Sequence, residues 1–219
     1  GGKAIKSELA SSVPGLPQAE PSLKITYVQP KDFTGLLRYV RNILVVTIDP
    51  TAYTKVSVGY ENNVWARGQV VVSLKAPNTE SIVEYSKTHE KALVNFFVKV
   101  EMNRAIEQLQ KEYSMVVMDN LKSDLNVMLN APANFTYYKD TTDFFWSSNN
   151  ANTGRMDLIV YTFPYTDPNT FTEEYLVAKR DSVLKANLPG SFPGSYMQTE
   201  TRAGVEYTPI TLNGKYCGV

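Results

Sequence analysis

Side chains able to do acid–base or nucleophilic chemistry are few in this sequence. It contains one histidine, His89, and one cysteine, Cys217, among 219 residues. A catalytic imidazole needs a nucleophile and an orienting group brought from elsewhere in the fold, and a reactive thiol needs neighbours that lower its pKa. His89 falls on the apolar stripe of a predicted helix, which favours a packed or interface histidine, and no residue close to Cys217 in sequence would activate its thiol. We therefore assign no catalytic residue.

Carboxylates are the remaining route to acid–base chemistry. Asp140, Asp143 and Asp157 lie near predicted strands around Trp146, and paired acids beside aromatic rings suit glycoside hydrolysis. Aspartates in loops more often form turns. Hydrolysis of a glycan or cell-wall substrate is therefore the alternative to a binding function, and we expect a protein that binds rather than catalyses.

Two tryptophans beside polar loops are the candidates for ligand binding. Sugars pack their C–H faces on aromatic rings, while amides and hydroxyls meet their hydroxyl groups. In a regular strand Trp146 and the serine after it point to opposite faces, so convergence needs a bulge. A hairpin anchored by a buried tryptophan is the competing interpretation. The predicted ligand-binding residues are Trp146, Ser148, Asn149, Asn150 and Trp65.

The composition excludes several classes of partner. The 22 basic and 22 acidic side chains give a formal net charge of zero, whereas nucleic-acid binding needs a basic face. One cysteine with one histidine cannot supply the usual zinc ligands. No dinucleotide fingerprint or phosphate loop occurs, and no window approaches the roughly 18 continuous apolar residues of a membrane helix. We predict no cofactor, no metal site and no nucleic-acid partner.

Helices and strands alternate irregularly in the first half of the chain. A short amphipathic helix starts at Gly2, and residues 23–28 alternate as a half-buried strand. Asp32 is placed to cap a helix that runs to Val40. The β-branched run at residues 43–48 predicts a strand covered on both faces, and residues 70–74 predict another strand.

One long helix is predicted from Thr79 to Lys111. Apolar side chains at three- and four-residue spacing form one buried stripe. The stripe contains Ile82, Tyr85, His89, Leu93, Phe96 and Val100. We expect this helix to join two parts of the fold.

The second half of the chain has more strand character. A helix is predicted at residues 115–127, then strands at 136–138, 144–146 and 158–163, with a hairpin turn at 149–154. The Thr-x-x-Glu spacing from Thr170 to Glu173 predicts a capping box that opens a further helix. Residues 195–199 and 205–212 are the last predicted strands.

These elements predict an α+β fold, with antiparallel or mixed β-sheets packed against one long and several shorter helices. We expect one compact unit over residues 1–219. Two halves, about 1–110 and 111–219, joined through the long helix, are the alternative organisation.

Several stretches, in this order and spacing, resemble a known family. They are Val13-Pro14-Gly15-Leu16-Pro17-Gln18, residues 41–51, residues 144–150, residues 165–172, Lys179-Arg180-Asp181-Ser182-Val183 and Gly194-Ser195-Tyr196-Met197. Together they resemble an uncharacterised family of predicted lipoproteins from Bacteroidetes bacteria, a domain of unknown function. The resemblance extends over essentially the whole chain.

The resemblance implies a compartment more than an activity. Members of that family carry an export signal and a lipid-modified cysteine ahead of the region that matches residue 1, and they continue beyond residues 213–216. It implies an exported protein of the cell envelope, in the periplasm or at the outer membrane, that meets the membrane only through a lipid anchor outside residues 1–219. A glycan or another envelope protein is the expected partner.

Overall fold

The computed structural model describes residues 1–16, 18–205, 207–212 and 215–218. Within them the chain forms five α-helices, two three-stranded sheets and one two-stranded ladder. The predicted α+β class is confirmed. Two compact units account for the chain: Gly1–Pro14 with Gln18–Asn103, and Gly15–Pro17 with Arg104–Val219.

The first unit is built on a mixed three-stranded sheet. Its strands are β1 (Asn42–Ile48), β2 (Ser57–Asn62) and β3 (Val70–Ala76), and its helices are α1 (Gly2–Leu9), α2 (Thr79–Thr88) and the first part of α3 (Ala92–Lys111). The strand order is β1-β3-β2, with β1 parallel and β2 antiparallel to β3.

Strand β3 is the buried strand of this sheet. Val72, Leu74 and Ala76 are almost inaccessible to solvent, because β3 is paired on both edges and this face of it is covered by the core, whereas Lys75 on the opposite face is exposed. The prediction of a doubly covered strand at residues 43–48 is wrong, since β1 is an edge strand and Val46 and Ile48 are 41% and 45% exposed. A β-branched run indicates a strand, but it does not tell where the strand lies in the sheet.

Alternate residues of β3 form one face of the first core. Val72 and Leu74 pack in one cluster with Ile5 of α1, Ile82 of α2 and Phe97 of α3. Each of the three helices thus contributes an apolar residue to a sheet that is too narrow to bury itself. Phe96 and Val100 contact the same cluster but are only partly buried. At this turn the buried side chain is Phe97 rather than the predicted Phe96.

The predicted long helix is interrupted. Helix α2 ends at Thr88 and α3 begins at Ala92, with Lys91 in the left-handed region at φ 60°. The hydroxyl of Thr88 donates to the carbonyl of Glu84, and the carboxylate of Glu8 accepts the N–H of Leu93 at 2.8 Å. The break lets α2 and α3 each direct an apolar side chain at β3, a tertiary effect that helical periodicity does not reveal.

Two further predictions for the first unit are wrong. Residues 23–28 lie in an extended segment that pairs with no strand among the described residues. In place of a capped helix from Asp32, short 3₁₀ turns occur at Pro30–Asp32 and Gly35–Tyr39. Leu36 is 86% exposed, so the apolar residues of this segment do not form one packed face.

The second unit is built on an antiparallel sheet. It contains α4 (Met115–Leu125), β4 (Tyr137–Thr141), β5 (Phe144–Ser148), β6 (Asp157–Tyr161), α5 (Glu173–Asn187), β7 (Pro209–Leu212) and β8 (Lys215–Gly218). The strand order of the sheet is β4-β5-β6, and β7 pairs with β8. The predicted helix at 115–127, the three strands and the hairpin turn are confirmed, to within a few residues at their ends.

The two faces of this sheet meet different elements. On one face Phe145 and Val160 pack with Val117 and Leu121 of α4. On the other face the ammonium of Lys139 donates to the carbonyl of Asn187, at the end of α5, at 2.9 Å. Strand β5 is the central strand, and Phe144 and Phe145 are both buried, one on each face.

Helix α5 begins two residues later than the capping box predicts. Thr172 is its N-cap, and its hydroxyl accepts the N–H of Tyr175. Thr170 is buried in a 3₁₀ turn that Asp167 caps. Two residues, Thr170 and Thr172, could cap a helix. Thr170 belongs instead to the 3₁₀ turn that begins at Pro168, so Thr172 caps α5.

The expected strand at residues 195–199 is absent from the described residues, where only an isolated bridge joins Pro189 to Tyr196. The segment is instead fixed to α5 by side chains. Asp181 accepts the N–H and the hydroxyl of Thr199, each at 2.8 Å.

We predict that Phe97→Ala lowers the free energy of unfolding of the first unit by about 3–5 kcal/mol, because it removes a buried ring from the core. Phe96→Ala, its neighbour, removes a half-buried ring and is expected to cost only about 1–2 kcal/mol. Urea unfolding followed by Trp65 fluorescence in a Trp146→Phe background measures both. Equal losses for the two variants would contradict this assignment of the core.

We also predict that Glu8→Ala costs about 1–2 kcal/mol, because it removes an anionic acceptor from the first turn of α3. Glu84→Ala, on the exposed side of α2, is the matched control and should change stability by less than about 0.5 kcal/mol. The same urea unfolding applies. A Glu8→Ala variant as stable as the control would show that the break between α2 and α3 does not depend on this contact.

Candidate functional site

The predicted ligand-binding residues of the second unit lie on one β-hairpin. Trp146 and Ser148 belong to β5, and Asn149 and Asn150 begin the loop to β6. Strand β5 is regular, with Trp146 opposite Lys139 on β4 and Ile159 on β6. Trp146 and Ser147 therefore face opposite sides of the sheet. The structure brings Trp146 and Ser148 to the same face.

The polar groups of this hairpin bond mainly to its own backbone. Ser148, which is buried, donates to the carbonyl of Met156 and accepts the N–H of Asn150, each at 3.0 Å. Asn149 accepts the N–H groups of Ala151 and Met156. Asn150 is exposed with φ 46°. These contacts shape the turn, and the assignment of the residues to ligand binding stays a prediction.

Trp146 is held by an ion pair on β6. Its indole N–H donates to Asp157 at 3.0 Å, and the Arg155 guanidinium bonds to the same carboxylate at 3.0 Å and lies 6.0 Å from the centre of the indole ring. Burial acts to raise the pKa of Asp157, but hydrogen bonds from Arg155, Ser148 and Trp146 outweigh it and lower the pKa. The tryptophan is half-buried.

Trp65, the other predicted ligand-binding tryptophan, belongs to the first unit. It lies in the loop between β2 and β3, is 38% exposed, and packs edge-on against Phe33 with ring centres 5.6 Å apart. Its backbone N–H donates to the buried side chain of Gln69. Gln69 also donates to the carbonyls of Arg38 and Val40, so a single amide organises this loop. The sequence analysis missed Gln69.

His89 is exposed, contrary to its expected place on a buried stripe. It is the residue that follows the last turn of α2, and it stacks on Tyr85 with ring centres 4.2 Å apart. Its Nδ1 lies 2.9 Å from the hydroxyl of Thr88, but that hydroxyl also bonds to Glu84 within the helix. This contact therefore belongs to the helix end. Cys217 lies in β8, and its thiol is outside the part of the chain that the structure describes.

Two carboxyl groups in the described part of the chain interact directly. Asp140, on β4, shares a hydrogen bond with Asp124, on α4. Burial and the charge and hydrogen bond of Asp124 raise the pKa of Asp140, whereas hydrogen bonds from Ser123 and Asp140 lower the pKa of Asp124. Glycosidase carboxylates stand about 5 Å or more apart, so a directly bonded pair does not have that geometry. Sequence spacing did not reveal Asp124 as the partner of Asp140.

A cleft of about 460 Å³ opens in the second unit where β4, β5, β6 and α5 meet. Its wall combines two aromatic rings, three threonines, one carboxylate and one ammonium group. The lining residues are Thr141, Thr142, Asp143, Phe144, Thr162, Phe163, Pro164, Lys179, Val183 and Asn187. Phe144 lies two residues from Trp146 on the same face of β5. The cleft therefore adjoins the face that carries the tryptophan.

Two structural features are absent from the described ranges. Among residues 1–16, 18–205, 207–212 and 215–218, three or more His, Cys, Asp or Glu side chains nowhere gather as a metal ion would require. None of the helices in the same ranges has the length and apolar content to cross a membrane.

Two family models together match nearly the whole chain. The family model described as Domain of unknown function (DUF8532) matches residues 1–110, half of the chain. The chain belongs to this family. A second model, Domain of unknown function (DUF4837), matches residues 114–219. No curated protein and no solved structure matches the chain.

We predict that Trp146 fluorescence reports the ionisation of Asp157. Because the folded-state pKa is lowered, the stabilisation by this carboxylate is complete above the ordinary aspartate pKa of about 3.9. It is lost as the pH falls through the folded-state pKa. In a Trp65→Phe background, acid titration should give an emission change with a midpoint below about pH 3.9.

Asp157→Asn in the same background is the control and should abolish that transition, and far-UV circular dichroism separates it from global acid unfolding. A transition at or above the ordinary aspartate pKa would contradict the described contacts.

Proposed function

We propose that this protein is a binding module of the cell envelope rather than an enzyme, and that its second unit binds a small polar ligand such as a glycan or cell-wall fragment. The observation that carries the proposal is the cleft between the strand ends and α5. Its volume of about 460 Å³ lies within the range of small-molecule sites, roughly 300–1,000 Å³.

The wall of the cleft has the chemistry that sugar binding uses. Phe163 offers aromatic surface, and Thr142 and Thr162 line the same cleft at exposed positions. A sugar presents both an apolar C–H face and hydroxyl groups, so it can satisfy both parts of such a wall. Trp146 extends the same sheet face, and we place it at the margin of the bound ligand.

The cellular location is part of the proposal. The sequence resemblance to predicted envelope lipoproteins supports an exported protein. It would be held in the periplasm or at the outer membrane by a lipid anchor outside residues 1–219. Fractionation of the native cells with an antibody to this chain tests it. Recovery in the membrane pellet with release by detergent is expected, whereas recovery in the cytosol would overturn the location.

Another envelope protein is a second candidate partner, and an observation on the first sheet favours it. Val46, Ile48, Val58 and Tyr60 lie on the core-facing side of the two edge strands, yet each is at least 40% exposed. Exposed apolar surface marks protein–protein contacts, and here it lies on both sides of the buried strand β3. A structural role in an envelope assembly would use this surface rather than the cleft.

An envelope hydrolase remains the alternative function. Asp140 would be its acid–base group, because burial and Asp124 raise the pKa of Asp140, but the directly interacting pair lacks the carboxylate separation of a glycosidase, so binding is the favoured function. Asp140→Asn would abolish hydrolysis of glycan or peptidoglycan substrates in this case, whereas binding at the cleft would persist.

We predict that Thr142→Trp abolishes ligand binding, because a large side chain in the exposed β4–β5 turn would fill the cleft. Ala186→Trp, an exposed position of α5 outside the cleft lining, is the matched control and should bind normally. A screen of glycans and peptidoglycan fragments with wild type selects the ligand, and Trp146→Ala should weaken binding without abolishing it.

Circular dichroism verifies that each variant is folded. A wild type that binds no member of the screen, or a folded Thr142→Trp variant that binds as well as wild type, would remove the cleft as the site. Binding that Trp146→Ala leaves unchanged would remove the tryptophan from it.

A further inference from the structure

Lys179 is a cation of the cleft without an ion-pair partner among the described residues. Its side chain is half-buried on α5, and its ammonium lies 5.0 Å from the centre of the Phe163 ring. Among the described residues it has neither a carboxylate nor a hydrogen-bond partner. A lysine held against an aromatic ring in a cleft can pair with an anionic group of a ligand.

The neighbouring cations are already engaged. Arg180 pairs with Asp181 at 3.2 Å and donates to Thr199. Lys139, whose ammonium lies 5.5 Å from the Phe144 ring centre, donates to the carbonyl and the side-chain oxygen of Asn187. Lys179 therefore differs from both in having no such contact within the described part of the chain.

The cleft also carries one carboxylate, which limits the ligands that fit. Asp143 accepts the hydroxyl of Thr162 at 3.2 Å through one oxygen, so its other oxygen can accept from a ligand hydroxyl. An anion such as sulfate has only acceptors at neutral pH, so it cannot donate to Asp143 as a sugar hydroxyl can. A ligand with one carboxylate and several hydroxyls satisfies Lys179 and Asp143 together.

We propose that the cleft binds an acidic sugar, with the sugar carboxylate paired to Lys179. The sugar hydroxyls donate to Asp143 and bond to Thr142 and Thr162, and its C–H face packs on Phe163. This inference rests on the proposed binding function and specifies the ligand class of the same cleft.

The size of the preference follows from the charged contact. A hydrogen bond to a charged group contributes about 1.5–3 kcal/mol, which is at least about tenfold in affinity. We expect the wild type to bind glucuronate at least about tenfold more tightly than glucose, which lacks the carboxylate. Raising the salt concentration should reduce that difference, because the cleft is open to solvent.

The test is an NMR titration of the full chain with each sugar, following the amide signals of residues 141–144, 162–163 and 179–187. Lys179→Gln should remove the preference for glucuronate, and Lys179→Arg should retain much of it. Lys185→Gln is the matched control, since Lys185 lies on the same helix, 5.1 Å from the Tyr196 ring, but does not line the cleft.

The outcomes distinguish failure of the acidic-sugar inference from failure of the proposed binding function. Equal binding of glucose and glucuronate at these amides, lost in Thr142→Trp, would overturn the acidic-sugar inference and leave the binding function in place. Binding of neither sugar would overturn the inference, and the wider ligand screen would then decide the binding function alone. A preference that Lys185→Gln removes as well as Lys179→Gln would show a non-specific charge effect and overturn the inference.

Discussion

A three-stranded sheet has only one strand with neighbours on both edges, and each unit of this protein depends on covering that strand. In the first unit it is β3, and in the second it is β5. Both carry fully buried side chains, among them Leu74 and Phe145. Because neither sheet is wide enough to close on itself, the apolar cover must come from helices. The edge strands then keep exposed apolar positions such as Val58 on β2.

The break between α2 and α3 follows from this need for cover. A continuous helix presents one straight stripe, whereas two helices can direct Ile82 and Phe97 at the same strand from different angles. Breaking the helix leaves the first N–H groups of α3 without intrahelical partners. The carboxylate of Glu8 accepts one of them, from Leu93. Helix α1 therefore has two roles, packing Ile5 in the core and supplying an acceptor for another helix.

The sequence was sufficient for elements whose signals are local. The hairpin between β5 and β6 and the helix α4 were predictable because turn residues and apolar spacing agree there. Elements that depend on distant contacts were not predictable: the position of β1 at an edge and the break at Lys91. The N-cap at Thr172 instead of Thr170 is a local effect of the 3₁₀ turn that begins at Pro168. The same holds for the candidate site. Trp146 and its polar neighbours could be predicted from the sequence, because they are close together along the chain. Lys179 becomes notable only when α5 is placed beside Phe163.

A polar side chain can recognise a ligand only with hydrogen-bonding capacity that the fold has not already used. At the Trp146 hairpin, Ser148 and Asn149 bond to the backbone, and Trp146 donates its one N–H to Asp157. These groups would have to release a bond within the protein for each bond to a ligand, which leaves little net gain. At the cleft, Lys179 has no such bond among the described residues, and Asp143 has one oxygen engaged. The unused hydrogen-bonding capacity therefore lies beside Phe163 rather than at the Trp146 hairpin.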